Sequence, residues 1–187
     1  MKILLMVALM AEEQEAGILA GQRMTALLSY EDLNHLAGLS TVQIRAGKTF
    51  LCGHGLVTVA HEGQGRRTRY FLGSGDRFEP QAFIPCRHRV QPQERKPVEK
   101  LQDLSCTEVH DLNALKIYLV LCTLSGGRDL SVTLRPSVVS QLTNIPETKI
   151  AEGLDNLAQR SLVSVQSTTL RQDDGIDSLR VDPLPLH

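Results

Sequence analysis

Four residue patterns in this 187-residue chain could do chemistry, and three of them lack a part that the chemistry needs. Ala46-Gly47-Lys48-Thr49 has the ending of a phosphate-cradling loop, but the upstream glycine and the preceding strand are missing. Cys86 and His88, with Cys106 and His110, could supply four zinc ligands. A single residue separates the first pair, however, and both pairs fall in a stretch that reads as linker. Ser125-Gly126-Gly127 is a helix-ending turn and not a nucleophile elbow. No acid–base constellation stands out. The expectation is therefore a protein that is not an enzyme, with no cofactor and no metal. The four cysteines, Cys52, Cys86, Cys106 and Cys122, contain no Cys-x-x-Cys pair and read as reduced thiols of a cytoplasmic protein. Cys52 and Cys122 fall within helical patterns and read as packing residues.

The fourth pattern is suited to recognition. Arg66, Arg67 and Arg69 follow one another with no acid between them. The arginine fork matches phosphate oxygens in both charge and geometry. Upstream, Ser40, Thr41, Gln43, Arg45, Lys48 and Thr49 are the polar residues of a helical stretch, and no carboxylate is among them. Glutamine pairs with adenine and arginine with guanine through two hydrogen bonds each, so this set suits the major groove.

The elements that must position these residues occur twice. Leu28 to Val59 aligns without a gap on Leu134 to Val165, 106 residues later, and eight of the 32 positions are identical. They include Leu36/Leu142, Ile44/Ile150, Gly47/Gly153, Leu51/Leu157 and Val57/Val163; Leu33/Val139 and Leu39/Ile145 are chemically matched. Repetition of core positions points to a duplicated fold. Lys48 corresponds to Leu154, so its stem reads as partly buried and its ammonium as a phosphate contact.

Spacing predicts the local structure. Leu33 and Leu36 share one face of a first helix. Gly38-Leu39 turns the corner, and Ser40 caps a second helix through its hydroxyl. Ile44, Gly47 and Leu51 face inward, with Gly47 allowing close helix approach; Gly55 ends the helix. Val57 to Leu72 then reads as a hairpin whose tip is Glu62-Gly63-Gln64-Gly65-Arg66-Arg67. This order resembles the winged helix-turn-helix superfamily of DNA-binding domains, over about 60–70 residues per copy.

The rest of the chain fits around the two copies. Hydrophobic residues make up 42% and aromatics 4%, without Trp, so the cores are aliphatic. The apolar run Ile3 to Ala11 follows only one lysine and precedes no Ala-x-Ala site. It reads as the opening helix of copy one, by analogy with Leu112 to Ser125 before copy two. No run approaches the ~20 apolar residues of a membrane span. Prolines and charges spread over residues 73–110 indicate an extended connector, with Lys100 to Asp111 starting a helix towards copy two.

The overall net charge of −1 hides an asymmetry. Residues 22–89 carry nine Lys and Arg against five Asp and Glu; residues 111–187 carry seven against nine. The second-copy helix exposes Glu147, Lys149, Glu152 and Asp155, and its hairpin tip is Arg171-Gln172-Asp173-Asp174-Gly175-Ile176-Asp177. Carboxylates there repel phosphate.

The sequence thus predicts an α+β protein, mainly α with small β-hairpin wings, built as two tandem winged-helix domains. Residues 1–80 form the DNA-binding unit, 81–110 a linker, and 111–187 a dimerisation or partner-binding unit. The resemblance implies sequence-specific binding of double-stranded DNA by a homodimeric, cytoplasmic transcription regulator. Plasmid replication initiators, which bind origin repeats, are the nearest alternative. Accessory subunits of chromosome-organising complexes, which bind protein, are an alternative of another class.

Overall fold

The computed structural model describes residues 1–15, 22–61, 66–72, 98–105, 107–125, 131–166 and 179–183. Over these the chain is a mixed α+β protein of seven helices and seven strands. In order, the first half contains α1 (Lys2–Leu9), β1 (Glu12–Glu15), β2 (Gln22–Ser29), α2 (Tyr30–Ala37), α3 (Thr41–Gly53), β3 (Val57–His61) and β4 (Arg67–Leu72). Then come α4 (Glu99–Gln102), α5 (Val109–Leu124), β5 (Val132–Leu134), α6 (Pro136–Thr143), α7 (Glu147–Gln159), β6 (Val163–Gln166) and β7 (Leu179–Pro183).

Local chemistry explains the helix limits. Ser29 accepts the Asp32 amide at 3.0 Å, and Asp32 accepts the Ser29 amide at 2.8 Å. This reciprocal box satisfies two amides that a helix start leaves without partners. Ser40 and Gln43 repeat the device at α3, at 3.3 and 2.9 Å. Gly38 closes α2 in the left-handed conformation, φ 65°, where a side chain would be strained. Pro136 stands in the first turn of α6, where its missing N–H costs nothing, and Asn144 closes that helix at φ 55°.

The 106-residue repeat is present in hydrogen bonds as well as residue types. The amide–carbonyl pairs Gly38→Asn34, His54→Phe50, Gly55→Cys52 and Leu56→Leu51 recur as Asn144→Ser140, Arg160→Asn156, Ser161→Ala158 and Leu162→Leu157. The glycines at the helix crossing recur too. A Cβ on Gly47 would stand 2.6 Å from Ile3 Cδ1, and one on Gly153 would stand 2.4 Å from Ile117 Cδ1. In each half the opening helix seats an isoleucine against a bare point of the third.

The β structure exceeds the two expected hairpins. One sheet has four strands in the order β1-β2-β4-β3; the other has three, β5-β7-β6, and each described pairing is antiparallel. β4 alternates in burial: Thr68, Tyr70 and Leu72 face the core while Arg67 is exposed. In β2, Thr25, Ala26 and Leu28 are all buried.

The stretch read as linker also differs. Val98, Leu101 and Leu104 are buried, and α4 lies on α2 through hydrogen bonds from the Val98 amide to the Leu36 carbonyl, 2.9 Å, and from Gln102 Nε2 to the His35 carbonyl, 2.6 Å. Residues 73–97 lie outside the described residues. Among the described residues no helix is long and apolar enough to cross a membrane.

Candidate nucleic-acid interface

The polar residues of the α3 stretch divide into two groups. Thr41, Arg45 and Thr49, four residues apart, lie exposed along its outer face. Ser40, Gln43 and Lys48 are engaged elsewhere. Ser40 and Gln43 hold each other's backbone amides in the cap, so Gln43 cannot offer that oxygen to a base without opening the helix start. Gln43 is half-buried and lines an apolar cleft of about 230 Å³ with Ile3, Leu39, Gly47, Leu112 and Leu115. Lys48 is half-buried with its ammonium 6.0 Å from the Tyr30 ring centre, within cation–π range.

The arginines divide similarly. Arg66 and Arg67, at the start of β4, are exposed. Arg69 is half-buried and donates from Nη1 to Thr25 Oγ1 of β2 at 3.3 Å. The hairpin itself is antiparallel, pairing Val57 with Leu72 and His61 with Thr68; residues 62–65 lie outside the described residues. The accessible basic set is therefore Arg45 on the helix and Arg66 and Arg67 on the hairpin.

Two exposed apolar residues share α3 with Arg45: Val42, 78% exposed, and Phe50, 58% exposed. The Phe50 ring stacks on His54 at 4.0 Å. The helical period that assigns the inward residues leaves both of these outside, and that is the only sequence signal for them.

The equivalent surface of the second half has a different character. On α7, Glu147, Lys149, Glu152 and Asp155 are exposed, and Lys149 pairs with Glu152 at 2.6 Å. The hydrogen bond from Lys149, with its charge, holds the Glu152 carboxyl below the ordinary range. Asn156, at the position of Phe50, is buried and donates to Asp111 Oδ1 at 3.0 Å. Asp111 also accepts the Ser105 amide at 2.6 Å and faces Arg160 and His110, each at 3.3 Å. The residues read as the second hairpin tip, 171–177, lie outside the described residues.

No group of three or more His, Cys, Asp or Glu that could hold a metal is found among the described residues; Cys86, His88 and Cys106 are not among these. Cys122 is buried, and burial pushes its thiol up to about 12, far from the thiolate that a nucleophile needs. Comparison of the chain with protein-family models, curated proteins and solved structures gave no match.

Proposed function

We propose that the chain is a tandem winged-helix protein whose first half binds double-stranded DNA, as a sequence-specific regulator. One observation carries this reading. A helix capped at a tight turn presents Thr41, Arg45 and Thr49 on an outer face without carboxylates, and the hairpin that follows it presents Arg66 and Arg67. In the proposed complex Arg45 reads a base edge in the major groove, where guanine offers two acceptors. Arg66 and Arg67 hold the phosphate backbone or enter the minor groove. Gln43 serves the helix start instead of a base. The acidic α7 face of the second half stays off the DNA.

A second reading has its own support. Val42 and Phe50 are large apolar side chains exposed on that same helix, as a protein-binding surface requires. On this reading α3 docks a protein.

Selection from a random duplex pool at near-physiological salt separates the two. An enriched inverted repeat supports a dimeric regulator, and enriched direct repeats support an initiator-like role. Binding without a motif leaves a sequence-independent role. No binding overturns the DNA reading in favour of the protein partner.

A further inference from the structure

The two halves cover their second helix differently. α2 buries Leu33, Leu36 and Ala37. At the corresponding positions α6 buries Val139 and Thr143, but Leu142, the partner of Leu36, is 58% exposed where Leu36 is 0%. The difference lies in α4. It rests on α2 with Val98, Leu101 and Leu104 each 2% exposed or less, and the Val98 amide donates to the carbonyl of Leu36 itself. Among the described elements, α6 packs on α5 and α7, and nothing takes the place of α4. Val138, one turn before Leu142 and 41% exposed, lengthens the bare strip. No charged residue occurs from Pro136 to Pro146, in a chain that is 22% charged.

We propose that the Val138–Leu142 face of α6 is a docking groove for a one-turn helical segment of a partner protein, with aliphatic residues at positions i, i+3 and i+6. This is the pattern that Val98, Leu101 and Leu104 supply to α2. It rests on the internal repeat and not on the DNA reading. The first half shows what this helix position accepts: a short amphipathic segment and not a copy of itself. The partner's leading amide donates to the Leu142 carbonyl, as Val98 does to Leu36, and its aliphatic side chains cover Val138 and Leu142. With no charge on α6, binding is nearly independent of salt.

The probe is the chain's own segment. Residues 73–104 join β4 to α4; a second copy of them is appended after residue 187, giving the new segment a comparable path to α6. Tethering raises its effective concentration to the millimolar range. The expected result is a rise in Tm of about 3–5 °C. The rise disappears when the appended Leu101 and Leu104 are made Glu, and in a chain carrying Leu142→Glu. Leu142→Glu alone leaves Tm nearly unchanged, whereas Leu36→Glu unfolds the first half. The proposal is overturned if the appended segment gives no rise, or a rise that survives either change. It is also overturned if Leu142→Glu is as damaging as Leu36→Glu. A dimer of the unextended chain that Leu142→Glu dissociates would assign the face to self-association instead.

Discussion

Replacing Asp111 with Ala should cost about 4 kcal/mol of stability, and the loss should change the pH dependence of unfolding. The carboxylate is 3% exposed and joins the start of α5 to α7. It accepts the Ser105 amide at 2.6 Å and Asn156 Nδ2 at 3.0 Å, and each hydrogen bond to a charged group contributes roughly 1.5–3 kcal/mol. Arg160, 3.3 Å away and about a quarter exposed, adds less because solvent screens it, and half-exposed His110 adds least. Removing the carboxylate leaves the buried Asn156 amide and the Ser105 amide without this acceptor, and two such hydrogen bonds set the loss at about 4 kcal/mol.

The sign of the pH effect follows from the opposing causes. Burial raises the Asp111 pKa, but Asn156, the Ser105 amide, Arg160 and His110 together hold it below its ordinary value. A depressed carboxylate contributes stability above the unfolded value near 4, and that contribution fades as pH falls through the folded value. Urea unfolding at pH 7 measures the first quantity, and a series from pH 6 downward measures the second. Asp111→Ala should flatten the acid limb below about pH 4. A loss under about 1 kcal/mol, or an acid limb of unchanged slope, would refute this account of the cluster.

Three further outcomes are expected. Arg66→Ala with Arg67→Ala should weaken binding to every duplex and lower the salt slope by about 0.9 for each phosphate that is no longer neutralised, while Arg69→Ala, tied to Thr25, should lower it less. Ser40→Ala should cost about 1 kcal/mol of stability in thermal unfolding by removing the α3 cap. Arg45→Ala should leave stability within about 0.5 kcal/mol but relax preference at one base pair by about 1–3 kcal/mol, measured by competition between operator variants.

The sequence was most legible where one side chain decides a local geometry. Ser40 as a cap, Gly38 at the turn and Gly47 at a helix crossing each follow from residue type and spacing, and the structure has all three. β2 was not legible because its central residues are buried on both faces, so the two-residue alternation that identifies a strand is absent. The helix expected from Lys100 to Asp111 is in part present: α4 covers Glu99–Gln102, and α5 starts only at Val109, while the packing of α4 on α2 involves residues more than 60 positions apart in the chain. In the candidate interface the charge pattern marked the arginines, but charge alone does not separate the exposed Arg66 and Arg67 from Arg69. The Thr25 hydroxyl that holds Arg69 lies 44 residues away. Gln43 was read as a base contact, and the hydrogen bond by which its side-chain oxygen instead accepts the Ser40 amide is seen only in the structure.

The first helix has a consequence for how the molecule opens. Every residue from Lys2 to Ala11 is less than a tenth exposed, and α1 packs on α2, α3, β2 and β4. No partial opening can free it while those elements stay in place. Its amides, such as those of Leu5 and Met10, which donate to the Met1 and Met6 carbonyls, should therefore exchange with deuterium only when the first half unfolds as a whole. Amides of α6, with one flank bare, should exchange through smaller openings. The slowest amides in the chain would then read the free energy of the first half directly, from a helix whose side chains reach almost no solvent.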